Sequence, residues 1–333
     1  MRGIRKREID IAKGIGIILV VLCHTLSPVM EEQEMMSSIY KFVYTFHMPL
    51  FFFLAGCVSK VRNEEQLEQT KAKFNRLLIP YITWAFIYWP LKNIFSEMAR
   101  SNAKEPWWSI FLGNNPDGEL WFLYVLFVFS LVLIWIVNEE NLKQTVIITV
   151  LISLFAQYIP HSIRFSGISL FFSLYQIGFY FLGVLVGKNW EGFIRLITKP
   201  IAFFSSLIIT LAYGVVSFVV PEISRIRLLM CPVAIAAIIS VISLSYVLSK
   251  KFELKMLDYI GCHSMEIFIL HAPILILGRS LLPKLIGKGW IYVFVLSIIA
   301  ISCSLFIDDI LLSKYWWIRA IVAGKKNKVR KEK

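Results

Sequence analysis

Apolar stretches about as long as a bilayer is thick recur along this chain from residue 11 to residue 311, separated by short polar segments. A helix needs about 20 mostly apolar residues to cross the hydrocarbon core. Counted on that basis, the pattern predicts about ten transmembrane helices, at 11–29, 39–59, 75–95, 119–138, 144–159, 169–187, 199–220, 229–249, 264–282 and 289–311. The fifth is the shortest. Little chain remains for anything else, so the expected architecture is one all-α polytopic membrane domain over residues 1–333, with a basic tail from about residue 324.

The polar segments supply the orientation. With the basic amino terminus (Arg2, Arg5, Lys6, Arg7) placed in the cytoplasm, the loops at 60–74, 188–198 and 250–263 and the carboxyl-terminal tail fall on the same side. They carry Lys60, Arg62, Lys71, Lys73, Lys188, Arg195, Lys250, Lys251 and Lys255. Lys and Arg collect in cytoplasmic loops because translocating them is unfavourable. The opposite loops hold Glu31, Glu32 and Glu34, and a 96–118 segment in which Glu97, Glu105 and Asp117 offset few cations. An even number of spans then puts both termini in the cytoplasm. The first apolar run is read as a retained span, since no small-residue cleavage motif follows it.

Composition agrees with this reading: 57% of residues are hydrophobic and only 17% charged, against about 25% charged in a soluble domain. The net charge of +13 reflects topology rather than nucleic-acid binding. Five cysteines, at 23, 57, 231, 262 and 303, form no C-x-x-C pair, so neither a disulfide framework nor a zinc site is expected.

Ionisable side chains at membrane depth cost about 2.5–3.5 kcal/mol each on insertion scales, so each one is a functional candidate. The first span contains Lys13 and His24, the second His47, the ninth Glu266 and His271, and the tenth Asp308 and Asp309. Lys13 and His24 are about 16 Å apart along one helix and nearly on one face. A cation near the cytoplasmic mouth with a base deeper in suits a phosphorylated donor whose reactive end reaches into the membrane. Snorkelling of Lys13 to headgroups and a helix-to-helix hydrogen bond by His24 are the structural alternatives.

Further along, His47 lies beside Pro49, which frees a backbone carbonyl; the imidazole either packs through a hydrogen bond or walls a cavity. Lys73 and Arg76, three apart at the mouth of the third span, either clamp phosphates or simply obey the charge rule. Glu119 opens the fourth span after a turn-rich loop and is a candidate to orient an imidazole or a sugar hydroxyl. Trp121, with Trp107 and Trp108, offers either a sugar-stacking surface or an interfacial anchor.

Taken in order, these segments resemble the membrane acyltransferase-3 family. Lys13 followed after ten residues by His24 is similar to the family's basic residue, ten residues, histidine signature. Phe46-His47-Met48-Pro49-Leu50-Phe51-Phe52-Phe53-Leu54-Ala55-Gly56 resembles its second helix. Lys73-Phe74-Asn75-Arg76, Leu120-Trp121-Phe122-Leu123, and Ser264 through His271-Ala272-Pro273 are weaker echoes.

The resemblance implies acetyl-CoA or another acyl-CoA as donor, taken from the cytoplasmic side, and a hydroxyl of a cell-surface or lipid-linked carbohydrate as acceptor. It also implies residence in a bacterial cytoplasmic membrane. His24 would be the general base and Glu119 its partner; Lys13, Lys73 and Arg76 would hold the donor's phosphates; His47 and Trp121 would face the acceptor. No metal-ligand spacing calls for a metal, nucleic acid is not an expected partner, and a homo-oligomer is compatible with the sequence. The rival class is a multi-pass transporter or flippase with His24 and His47 as a proton relay.

Overall fold

The computed structural model describes residues 6–30, 33–61, 65–94, 107–113, 120–159, 173–220, 222–223, 226–312 and 314–324. Among them there is helix and no strand. In chain order the α-helices are α1 (Arg7–Leu26), α2 (Glu34–Cys57), α3 (Gln66–Lys73), α4 (Ile79–Ile94), α5 (Trp121–Trp135), α6 (Leu142–Ala156), α7 (Ile177–Lys188), α8 (Trp190–Ile197), α9 (Pro200–Val219), α10 (Arg227–Lys251), α11 (Lys255–Cys262), α12 (Ser264–Ile286), α13 (Trp290–Ile307) and α14 (Trp316–Ala323). Each of the ten predicted apolar segments overlaps one of these helices, several of which run a few residues past the predicted ends. Six of the helices, α1, α2, α9, α10, α12 and α13, are long and apolar enough to cross a bilayer; α5 and α6 are apolar but shorter.

α9 shows that lipid, not water, is the surrounding solvent. It buries Ser206, Thr210, Tyr213 and Ser217 while exposing Ile201, Phe204, Ile208, Leu211, Val215 and Val219. The buried polar positions recur at intervals of four, three and four, which is one helical face, and Ser206 meets Ser240 of α10 at 3.0 Å. In water this helix would be inside out. In hydrocarbon, which offers apolar side chains no penalty, polar groups turn inward to find partners.

α1 is the central helix. It packs against α2, α10, α11, α12 and α13. Glu8 and Asp10 lie in its first turn, where carboxylates complement the positive end of the helix dipole. Trp190 anchors this end by donating to Glu8 at 2.7 Å, while Arg7 binds Asp258 at 3.1 Å and the carbonyls of Ser249 and Phe252. The helix stops just before Pro28, whose missing N–H leaves the carbonyl of His24 without an intrahelical donor.

α2 runs beside α7, its most extensive partner. Gly56 and Gly183 allow this approach: a β-carbon on Gly56 would stand 2.0 Å from the Tyr180 carbonyl oxygen, and one on Gly183 would stand 2.1 Å from that of Phe53. The predicted third span differs in one respect from a continuous helix. It begins with a π-helical turn, Phe74–Leu78, between α3 and α4. A second π-turn, Asp308–Leu312, follows α13.

Candidate active site

Two groups of polar side chains lie along α1. At its amino-terminal end, Lys13 of α1, Lys73 at the end of α3 and Arg76 of the π-turn line one cavity of about 140 Å³, with Phe51, Leu123, Ser264 and Phe268 among its walls. Three cations that are 3 to 63 positions apart in sequence thus share one small space. The π-turn contributes to this arrangement, because its wider winding re-aims the side chains on either side of it; such turns recur at functional sites.

Lys73 is half-buried there, and burial, together with the nearby Arg76 guanidinium, pushes its ammonium pKa down to about 8. α14 supports Arg76 from behind. Trp84 of α4 donates to the carbonyl of Val322 at 3.0 Å. Gly324, at φ +60°, lies so close to the Arg76 backbone that a β-carbon on it would be 2.5 Å from the Arg76 oxygen.

Lys13 and Val58 also border a second, larger cavity of about 600 Å³ that opens at the same end and includes Lys6, Asp10, Lys60, Glu139 and Lys188. Lys188 is paired with Glu139 across it. The two cavities therefore adjoin at Lys13.

Further along α1, His24 is 9% exposed and faces His271 of α12. Their ring centroids are 5.2 Å apart and the planes are inclined at 41°. His271 is fully buried, with Nδ1 3.0 Å from the carbonyl oxygen of Ile267 one turn earlier. A carbonyl only accepts, so Nδ1 carries a proton and Nε2 is the nitrogen able to exchange one. On the other side of His24, Arg279 donates through Nη2 to its backbone carbonyl at 2.9 Å, supplying the bond that Pro28 cannot. The sequence marks His271 as an ionisable group at membrane depth and as part of a family echo without giving it a specific role, and Arg279 is not marked at all. The signal for Arg279 was present too: it is an ionisable side chain in a helix long and apolar enough to cross a bilayer.

The remaining predicted site residues sit as follows. His47 is buried, with Nδ1 2.9 Å from the Val43 oxygen and its ring edge-on to Tyr44 at 5.0 Å. Those contacts are with its own helix. Trp121 is buried at the start of α5 and stacks on Phe52 at 5.9 Å with an interplanar angle of 28°. Trp107 and Trp108 are exposed. Glu119 lies outside the described residues.

Among the described residues, two clusters have the composition of metal ligands: Asp10, Asp258 and Cys262, and His263, Asp308 and Asp309. Each already contains a protein cation. Arg7 lies 3.1 Å from Asp258, and Arg319 and His263 each approach the buried Asp308 to 3.5 Å. Both clusters therefore read as ion-pair networks that tie α1, α11, α13 and α14 together.

Comparison with known proteins decides the family. A profile described as an acyltransferase domain, Acyl_transf_3, matches residues 6–309. The chain belongs to this acyltransferase family. Nodulation protein NolL of Mesorhizobium japonicum is 28% identical over 144 residues, 41% of this chain and 37% of the relative. The match thus takes in little more than a third of NolL. No solved structure shows significant similarity to the chain. The protein is thus a multi-pass membrane protein of this family, and its resemblance to the family by motif is matched by similarity over nearly its whole length.

Proposed function

We propose that the protein is a transmembrane O-acyltransferase, in the simplest case an O-acetyltransferase. In this reading it moves the acyl group of a cytoplasmic acyl-CoA to a hydroxyl of a cell-surface or lipid-linked carbohydrate, from a bacterial cytoplasmic membrane with both termini inside. The observation that carries the reading is the arrangement along α1: a cavity with three cations at one end, and a buried imidazole pair further along the same helix. The cations suit the phosphates of the donor, and the apolar walls suit its uncharged arm.

In the proposed reaction the acceptor hydroxyl attacks the thioester carbonyl as His24 removes its proton. The tetrahedral intermediate collapses by breaking the carbon–sulfur bond, and the departing thiolate takes the proton from the His24 imidazolium. The products are an ester and free CoA, with His24 returned to its neutral state. Histidine suits the task because its ordinary pKa lies near neutrality. His271 supports the reading as a partner that holds the His24 ring, and Glu119 retains its role as a proposed further partner.

The test uses the full chain in membranes or nanodiscs with radiolabelled acetyl-CoA and total envelope glycan. Label should appear as base-labile ester on glycan, and His24→Ala should abolish it while the protein remains folded. Solute or lipid-sugar translocation with no ester formed would replace this reading with the transporter.

A further inference from the structure

Arg279 has properties that capping a helix does not require. The His24 carbonyl needs one donor, and a neutral amide would provide it without placing a full charge at membrane depth, which costs about 2.5–3.5 kcal/mol. A guanidinium carries five N–H groups in a planar fork, and one of them, on Nη2, serves His24. The buried Nε has no hydrogen-bond partner among the described residues.

The position of Arg279 is equally telling. The residues of α12 that meet α1 advance in the same direction along both helices: Ser264 and Met265 share a cavity with Lys13, His271 faces His24, and Arg279 reaches the His24 carbonyl. The two helices are parallel. Helical carbonyls point toward the carboxyl-terminal end and side chains lean toward the amino-terminal end, so His271 approaches His24 from the donor-cavity side and Arg279 approaches from the opposite side.

The neighbouring sequence points the same way. Between Glu266 and Asp308 there is no acidic residue, yet Arg279, Lys284 and Lys288 all occur within the last turns of α12 and the loop that follows it. Lys284 and Lys288 are exposed. In the proposed orientation this end is extracytoplasmic, where the positive-inside rule predicts few cations. Topology therefore does not explain them.

We infer that Arg279, with Lys284 and Lys288 leading to it, is the acceptor entry site, and that it selects an acceptor carrying an anionic group, a carboxylate or a phosphate, close to the hydroxyl that is acylated. This rests on the proposed acyltransferase reading. A guanidinium recognises either anion through paired N–H donors, and in a low-dielectric setting such bonds are strong and directional. Binding there brings the adjacent hydroxyl to the outer side of His24, while the acyl donor arrives from the inner side.

The experiment compares wild type, R279Q and R279K in phosphatidylcholine nanodiscs with three acceptors: a glucuronate-containing oligosaccharide, its carboxyl-reduced neutral counterpart, and a neutral sugar on a prenyl phosphate. Equilibrium binding is measured without donor, and kcat and KM with acetyl-CoA. Preference of wild type for the first acceptor over the second assigns the anion to the glycan; preference for the third assigns it to the lipid carrier. R279Q, which keeps a donor for the His24 carbonyl, should reduce that preference about tenfold through acceptor KM, and R279K should restore part of it.

Equal use of charged and neutral acceptors by wild type would overturn the inference while leaving acyl transfer intact. So would an R279Q effect equal for all acceptors, or an effect of Arg279 seen only on adding phosphatidylglycerol, which would make the site one for lipid headgroups. Arg279-dependent binding of the anionic acceptor with no acyl transfer would instead remove the acyltransferase reading and keep the anion site.

Discussion

His24 and His271 face each other between two parallel helices, with ring centroids 5.2 Å apart. The carbonyl of Ile267 holds the second ring from its Nδ1 side, and Arg279 holds the backbone of the first. The second imidazole is thus fixed through a nitrogen that is not needed for proton exchange, and the first through the backbone that carries it.

His271→Asn retains a donor that can reach the Ile267 carbonyl but removes the second ring nitrogen. If His271 supports proton transfer by His24, kcat should fall by about 10²-fold, the lower part of the range for general acid–base groups, with acyl-CoA KM nearly unchanged. Steady-state acyl transfer measures both. An unaltered kcat would confine His271 to packing.

Lys73 provides a pH prediction. Its pKa is lowered to about 8 by burial and then by Arg76, so the ammonium is present below about pH 8 and is lost as pH rises through that value. A donor phosphate needs the charged form. The ratio kcat/KM for acyl-CoA, which reports the free enzyme's titrations, should therefore decline above about pH 8. Lys73→Arg should remove that limb, because a guanidinium stays protonated; an identical decline in the arginine variant would assign it to another group.

Gly324→Val tests the support behind Arg76. The substitution imposes a β-branched residue at φ +60° and a β-carbon 2.5 Å from the Arg76 oxygen. Backbone strain of this kind costs about 1–3 kcal/mol. Acyl-CoA KM should rise several-fold as Arg76 shifts, with kcat less affected. Thermal unfolding of the purified variant in detergent, read beside KM, separates local displacement from global loss.

Asp308→Ala should destabilise the protein without touching the imidazole pair. Asp308 is buried, and its loss leaves His263 and Arg319 without the carboxylate that each approaches to 3.5 Å. Removing one partner of a buried ionic group costs roughly 3 kcal/mol. A drop in unfolding temperature with kcat preserved in the folded fraction is the expected result.

The helices were legible in the sequence because a bilayer imposes a strong rule: every backbone polar group must be satisfied within the segment, so apolar length predicts a helix. Details set by local chemistry were less legible. The π-turn at Phe74–Leu78 leaves no periodic signature, since a single wider turn changes the register without changing the composition. Gly56 and Gly183 could not be matched from spacing alone, because the closeness of α2 and α7 belongs to neither helix by itself.

Within the site, the residues on α1 were accessible to sequence reasoning, as Lys13 and His24 share a helix and its 3.6-residue period sets their relation. The partners on other helices were not. His271 and Arg279 are 247 and 255 positions beyond His24 and reach it through the parallel packing of α12 on α1. Lys73 and Arg76 were recognisable as a basic pair, but that they share a cavity with Lys13 depends on how the third span docks. The chain's own order therefore determined a helical membrane protein with an unusual set of buried ionisable groups. Only the tertiary structure decided which of them meet, because apolar periodicity specifies that a helix crosses the bilayer but carries no information about which neighbour its polar face will find.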